Sequence, residues 1–176
     1  MAFILTSDDD PELDAAGTVQ QFHRRYDAYR AYLGSVRNAL PTSAYEFATA
    51  SWREDNEDHR NVHDSWVESL TILEPSSGER HENRSLEIHV RLLGPYHDGH
   101  MVLIYRGVQS YELSAPQAFK GPPLNVGHGD WLADEVRLSE SNLVQHEVEF
   151  SRGTSWSIEC RDIEWAWHPK HSSPDA

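Results

Sequence analysis

Histidine is the residue type in this sequence that is best suited to chemistry. The chain has 11 histidines, and several lie beside carboxylates in glycine-containing segments where loops are expected. Imidazole and carboxylate are the usual ligands of zinc and other divalent transition metals. If the loops share one end of the fold, the candidate metal ligands are His97, His100 and His128. The neighbouring carboxylates that would complete the set are Asp64, Asp98 and Asp130.

The spacing of these residues matches no specific metal motif, because the sequence lacks both His-Glu-x-x-His and Cys-x-x-Cys. The alternative is that they are turn histidines with local hydrogen bonds. His89 and His146 fall inside predicted strands, and we expect both to be structural residues on a less buried face or at a strand edge.

Nucleophilic and phosphate chemistry are not indicated. Cys160, the single cysteine, continues the apolar positions Trp156 and Ile158 at a spacing of two residues. This pattern predicts that it is a small buried apolar residue. The sequence has no Gly-x-Ser-x-Gly elbow, no Walker pattern and no Gly-x-Gly-x-x-Gly. We therefore predict no catalytic residue. One cysteine excludes an intrachain disulfide, and together with a start that lacks a secretory signal this favours a cytoplasmic location.

Charge narrows the choice of partner. The 176 residues include 15 Lys+Arg and 29 Asp+Glu, for a formal net charge of −14. Such a chain is repelled by nucleic acid and by anionic lipid, but it is attracted to a basic protein. The densest acidic run, a candidate partner-binding surface, is Glu54, Asp55, Glu57 and Asp58. The alternative is that the carboxylates only keep the surface soluble.

Two tryptophans complete the candidate partner-binding set. Trp165 and Trp167 lie on the same side of the last predicted strand. If exposed, this pair would mark a partner-binding face. If buried, it packs in the core.

The elements that must position these residues form one α+β domain over residues 17–168, after a flexible acidic lead-in (1–16) and before a disordered tail (169–176). Apolar residues at spacings of three and four predict a helix from about Thr18, its N-cap, to residue 39. This helix either lies on a sheet or forms a coiled-coil arm that makes a homodimer. Residues 42–52 favour a second short helix over a strand. The apolar stripe of the first helix is Phe22, Tyr26, Tyr29, Leu33, Val36 and Leu40.

From residue 63 onward, apolar and polar residues alternate with a period of two, which indicates half-buried strands. Residues 63–113 and 128–168 align as two similar units of about four strands each, separated by a Gly- and Pro-rich loop at 114–129. The alternative is that any two meanders of alternating strands look alike. Either way, we predict a mostly antiparallel β-sandwich or flattened barrel of seven to eight strands behind an N-terminal amphipathic helix.

Two short motifs carry a resemblance. His-Asp-Ser-Trp at residues 63–66 leads into the first strand, and Gly-Pro-Tyr-His-Asp at 94–98 forms a turn. Over about residues 60–168, this pattern is similar to small acidic bacterial immunity proteins of polymorphic toxin systems. The resemblance implies a cytoplasmic, non-enzymatic protein that neutralises a toxin by covering its active site. The alternative function is a β-sandwich that binds a metal or small ligand through loop histidines, with hydrolysis as the reaction that such a metal would support.

Overall fold

The structure is a computed structural model that describes residues 2–5, 14–115 and 127–170. Most of the predicted acidic lead-in, the predicted 114–129 loop and the predicted tail lie outside the described residues. The helices are α1 (Ala15–Val36), α2 (Thr42–Thr49) and a 3₁₀ helix (Ser51–Glu54). The strands are β1 (Trp66–Leu73), β2 (Ser76–Ser77), β3 (Asn83–Arg84), β4 (Glu87–Leu93), β5 (Gly99–Arg106), β6 (Ser110–Leu113), β7 (Trp131–Leu138), β8 (Val144–Phe150), β9 (Ser155–Cys160) and β10 (Asp162–Pro169).

Helix α1 begins earlier than the sequence predicted. Its N-cap is Asp14 rather than Thr18, and a side-chain oxygen of Asp14 accepts a 2.8 Å hydrogen bond from the amide of Gly17. A carboxylate at this position satisfies an amide that has no partner within the helix. The predicted second helix is present as α2, which buries Ala44, Phe47 and Ala48.

Two four-stranded antiparallel sheets confirm the predicted α+β class. Their strand orders are β1-β4-β5-β10 and β6-β9-β8-β7, and β2 and β3 form a separate two-stranded ribbon. Each large sheet contains three strands from one of the predicted units and the last strand of the other unit. Strands β6 and β10 therefore change sheets. The duplication of the two units stays a prediction.

The core lies between the sheets, where every second residue of β4, β5, β8 and β9 is buried. His146 belongs to this core and is fully buried, so its expected place on a less buried face was wrong. The reason is its phase along β8. His146 lies two residues from both Val144 and Val148, so its side chain points inward on the same face as theirs.

Polar side chains attach the N-terminal region to β7. The hydroxyl of Tyr29 donates to the carbonyl of Val136 (3.0 Å) and accepts from its amide (2.7 Å). The hydroxyl of Tyr32 accepts from the amide of Leu138 (2.8 Å). Helix α1 thus satisfies backbone groups at the free edge of β7, which would otherwise be open to another strand.

The first residues of the chain are held by a buried carboxylate. Glu135, fully buried, accepts hydrogen bonds from the amides of Phe3 (2.7 Å), Ile4 and Leu5 (3.0 Å).

Among the described residues, the helices are too short or too polar to cross a membrane.

Candidate functional site

The acidic run at residues 54–58 is partly neutralised. Glu54 forms an ion pair with Arg30 of α1 (2.8 Å), and Asp58 forms one with Arg60 (2.7 Å). Hydrogen bonding from Arg60 lowers the pKa of Asp58 to about 2. Asp55 and Glu57 are exposed, and neither has an ion-pair partner among the described side chains. These two carboxylates are therefore the part of the run with unbalanced charge.

The predicted tryptophan pair is half-buried and packs against the core. The ring of Trp165 lies 5.2 Å from the ring of Trp52. The ring of Trp167 covers Gly94 and Gly99, and a Cβ atom at Gly99 would come within 2.1 Å of it. The pair thus supports the 3₁₀ helix and the β4–β5 turn. Its role in partner binding stays a prediction.

The three predicted metal ligands have separate partners. His100 lies 3.0 Å from Glu68, and the ring of His97 packs on Trp66 with centroids 4.5 Å apart. His128 contacts the hydroxyl of Thr154 (2.9 Å), and burial lowers its pKa. Within residues 2–5, 14–115 and 127–170, no three His, Cys, Asp or Glu side chains are arranged to hold a metal ion. The metal site stays a prediction.

The two motifs of the resemblance meet on the surface. Trp66, from the first motif, packs on His97, from the second. Beside His97, the ring of Tyr96 stacks on the ring of His59 with centroids 4.3 Å apart. Trp66 is 47% exposed and Tyr96 is 50% exposed. We call these four residues (His59, Trp66, Tyr96 and His97) the aromatic platform.

Hydrogen bonds fix the platform in place. The indole N–H of Trp66 donates to Asp130 (2.7 Å), and the hydroxyl of Tyr96 donates to the carbonyl of Asn56 (3.0 Å). The ring of His59 is 2.5 Å from the carboxylate of Asp98. Both rings are therefore about half exposed in a fixed orientation, so binding would cost little further side-chain entropy.

Carboxylates surround the platform. The side chain of Asp64 is 63% exposed and that of Asp98 is 48% exposed. Asp130 contacts Trp66 directly. Asp55 and Glu57 are the sequence neighbours of Asn56, whose carbonyl binds Tyr96. We call these five residues (Asp55, Glu57, Asp64, Asp98 and Asp130) the acidic rim. Cations lie here as well: the ammonium of Lys170 donates to the carbonyl of His97 (3.1 Å), and Arg60, next to His59, pairs with Asp58.

The backbone at the platform is unusual as well. Asp64 and His97 have φ angles of 63° and 58°, in the left-handed region. Non-glycine residues in this region cost free energy that the surrounding structure must supply, and they concentrate at functional sites. At Asp64 the amide is held by a hydrogen bond to the carbonyl of Trp131 (2.9 Å).

A cleft of about 800 Å³ lies beside α1, where residues between Phe22 and Leu33 contribute to its lining. Its lining includes Phe22 and Tyr26 of α1, Leu132 and Asp134 of β7, and His63 of the loop before β1. The predicted stripe on α1 is therefore buried only toward the C-terminus, and Phe22 is 52% exposed. The charged groups of the cleft pair with each other, Arg30 with Asp27 and Glu54, and Arg53 with Asp134.

Sequence reasoning missed a buried polar network behind this cleft. One oxygen of Asp134 contacts Arg53 (2.6 Å) and His146 (2.9 Å), and the other accepts from Trp131 (3.0 Å). The second ring nitrogen of His146 is 2.9 Å from the hydroxyl of Tyr105. Burial alone would raise the pKa of Asp134, but Arg53 and His146 outweigh it and lower that pKa. Because His146 and Tyr105 are fully buried, this part of the network holds the 3₁₀ helix and both sheets together. Its other end, Arg53 and Asp134, lines the cleft.

Comparisons with known proteins found no match: no family model, no curated protein and no solved structure matches this chain.

Proposed function

We propose that this chain is a non-enzymatic protein-binding module that binds a basic partner protein through the aromatic platform and the acidic rim. The observation that carries the proposal is the exposure of Trp66 and Tyr96, 47% and 50%, although contacts fix both rings. Tryptophan and tyrosine dominate the binding energy of protein interfaces, where truncation of one central ring costs about 2 kcal/mol or more.

The charge of the rim supports a basic partner. Five carboxylates lie around the platform, on a chain whose net charge is −14. A field of this sign steers a basic protein toward the surface and accelerates association, and it repels acidic competitors. Of the acidic residues singled out in the sequence, Asp55 and Glu57 belong to this surface. Glu54 and Asp58 contribute less because arginines already pair with them.

In its finer form, the proposal is a cytoplasmic bacterial immunity protein that covers the active site of a toxin. Toxins that act on nucleic acids carry basic grooves, and an acidic protein can place its carboxylates where the phosphates would bind. The resemblance supports this form, since its two motifs supply Asp64, Trp66, Tyr96, His97 and Asp98.

Affinity capture followed by titration tests the proposal. Lysate of the source organism is passed over the wild type, over Trp66→Ala/Tyr96→Ala, and over Tyr111→Ala, a control whose ring is 44% exposed on β6. We expect a basic protein to be retained by the wild type and the control and lost by the platform variant. Its purified form should bind the wild type less tightly as salt rises from about 50 to about 200 mM.

Two results would contradict the proposal. The first is a captured protein that binds the platform variant as tightly as the wild type. The second is an affinity that is insensitive to salt and to Glu57→Gln/Asp64→Asn, which removes two charges of the rim. To test the immunity form, the captured protein is expressed in bacteria. Growth arrest that the wild type relieves and Trp66→Ala/Tyr96→Ala does not relieve is the expected result.

A further inference from the structure

Strand β1 is an open sheet edge. It lies at the end of the first sheet and pairs along its length only with β4, apart from one bridge between Trp66 and Asp130 at its start. Among the described residues, none outside β4 hydrogen-bonds to the backbone of residues 67–73. With respect to the described part of the chain, the outer backbone groups of this segment are thus unpaired and can accept another strand.

The other edges of the two sheets are protected. Tyr29 and Tyr32 cap β7, α2 packs against β10, and β6 has only four residues. Natural sheets protect their edges by such coverage, by short edge strands, or by lysine and proline on the edge. Strand β1 has eight residues, Trp-Val-Glu-Ser-Leu-Thr-Ile-Leu, with neither lysine nor proline.

The far end of β1 also leaves apolar side chains uncovered. Leu70 and Ile72 pair with Val90 and Ile88 of β4 and therefore point to the same inner face. Val90 and Ile88 are buried, at 1% and 0% exposure, whereas Ile72 is 41% exposed. Strand β1 thus extends beyond the part of the first sheet that is covered.

The charge of this edge identifies its occupant. Glu68 is the single charged residue of β1, and it already pairs with Arg91 (3.1 Å) and His100 (3.0 Å). In a chain of net charge −14, this is a nearly neutral, apolar edge, so a basic partner gains little from it. Its complement is an equally neutral and apolar strand, and β1 of a second copy is such a strand.

We propose that two copies of the chain associate through their β1 strands, paired antiparallel across a two-fold axis normal to the sheet. The inner faces of both copies then lie on the same side, because residues opposite each other share a face. A register centred on Thr71 places Ile72 opposite Leu70 of the partner subunit, and Thr71 opposite itself. Cross-strand Thr–Thr and apolar pairs both stabilise antiparallel sheets.

The interface is small and the association weak. Residues 69–73, the regular part of β1 beyond its bulge, span about 17 Å at about 3.4 Å per residue. A contact of this length falls at the low end of protein interfaces. Because the two copies repel each other, salt strengthens the dimer by screening their charges. Binding of a basic partner responds to salt in the opposite sense, and residues 69–73 do not include Trp66, so the two interactions are separable.

Sedimentation equilibrium of the full chain tests the proposal, at about 5 to about 500 µM protein and at about 50 and about 500 mM NaCl. We expect the mass of the wild type to rise from 20.1 kDa toward twice that value with concentration, more steeply at high salt. Ile72→Lys is expected to remain monomeric throughout. Tyr111→Lys, which adds the same charge on the exposed β6, is expected to behave as the wild type does.

Cysteine crosslinking tests the register in a Cys160→Ser background. Thr71→Cys, at the two-fold axis, is expected to form an intermolecular disulfide, and Glu74→Cys, beyond the strand, is not. A wild type that stays at 20.1 kDa under all conditions would overturn the proposal, as would a dimer that Ile72→Lys leaves intact. A dimer abolished by Phe22→Ala instead would move the interface to α1 and would equally refute it.

Discussion

The ion pair between Arg53 and Asp134 gives the sharpest stability prediction. The side chains are 11% and 4% exposed, and Asp134 also holds His146 and Trp131. In Asp134→Asn the volume is kept and the negative charge is removed, which leaves Arg53 buried without its counter-ion. Removing one partner of a buried ion pair costs about 3–5 kcal/mol. Because asparagine still offers one acceptor oxygen, we expect a loss near the lower end, about 3 kcal/mol.

The predicted loss depends on pH. The pKa of Asp134 is held below its ordinary value by Arg53 and His146, although burial opposes the shift. A carboxyl whose pKa is lowered on folding stabilises the protein fully above its unfolded pKa, about 3.9. This stabilisation is lost progressively as pH falls below that value toward the folded pKa. The wild type and Asp134→Asn should therefore differ most near neutral pH and converge in acid.

Urea unfolding followed by tryptophan fluorescence measures the effect. With a slope of about 2 kcal/mol per molar urea, a loss of about 3 kcal/mol lowers the midpoint by about 1.5 M. Arg53→Met/Asp134→Asn should be less destabilised than the sum of its single variants, because the uncompensated charge is gone. Glu57→Gln, on the surface, is the matched control and should change the midpoint little. A loss below about 1 kcal/mol in Asp134→Asn would refute this reasoning.

Three further predictions concern packing and accessibility. Gly99→Ala places a Cβ 2.1 Å from the ring of Trp167 and should destabilise the protein by about 1–3 kcal/mol. Gly34→Ala on α1, where a Cβ meets no atom within 4 Å, should instead stabilise the protein by up to about 1 kcal/mol. Similar urea midpoints for the two variants would contradict this. Burial raises the pKa of the Cys160 thiol to about 12, so a thiol reagent at neutral pH should modify it only in denaturant; modification of the native protein at the rate of a free thiol would count against its burial. Glu135→Ala removes the acceptor for the amides of Phe3, Ile4 and Leu5, so hydrogen exchange should lose protection at these three amides; unchanged protection would show that something else holds the segment.

Periodicity in the sequence predicted the elements well. The alternation of Ile88, Val90 and Leu92 gives the buried face of β4. The same rule puts His146 on the buried face of β8 with Val144 and Val148, but the prediction set the polar histidine on the less buried face. The rule fixes which side chains share a face but says nothing about which strand lies alongside. The exchange of β6 and β10 between the sheets was for that reason not predicted.

The stripe on α1 shows a related limit. Phe22 and Leu33 both belong to the period of the helix, yet Leu33 is 2% exposed and Phe22 is 52% exposed. Periodicity gives the direction of a side chain and does not show whether anything packs there. Both residues line the cleft beside α1, which the period of the helix did not predict.

The candidate site was predicted only in parts. The motifs around Trp66 and Tyr96 were recognised separately, but the aromatic platform exists because the β4–β5 turn places His97 against Trp66. The buried network joins Arg53 to a carboxylate 81 residues away, and no local pattern encodes such a pair. The count of charged residues correctly predicted an acidic surface. It did not predict that Arg30 and Arg60 pair with two carboxylates of the acidic run.

Calorimetric titration of the captured basic partner with Trp66→Ala tests the central claim most directly. Loss of a central ring costs about 2 kcal/mol or more, so the dissociation constant should rise by about 30-fold or more, while Tyr111→Ala should remain close to the wild type. An affinity of Trp66→Ala equal to that of the wild type, with the variant folded, would contradict the assignment of the aromatic platform as the binding surface.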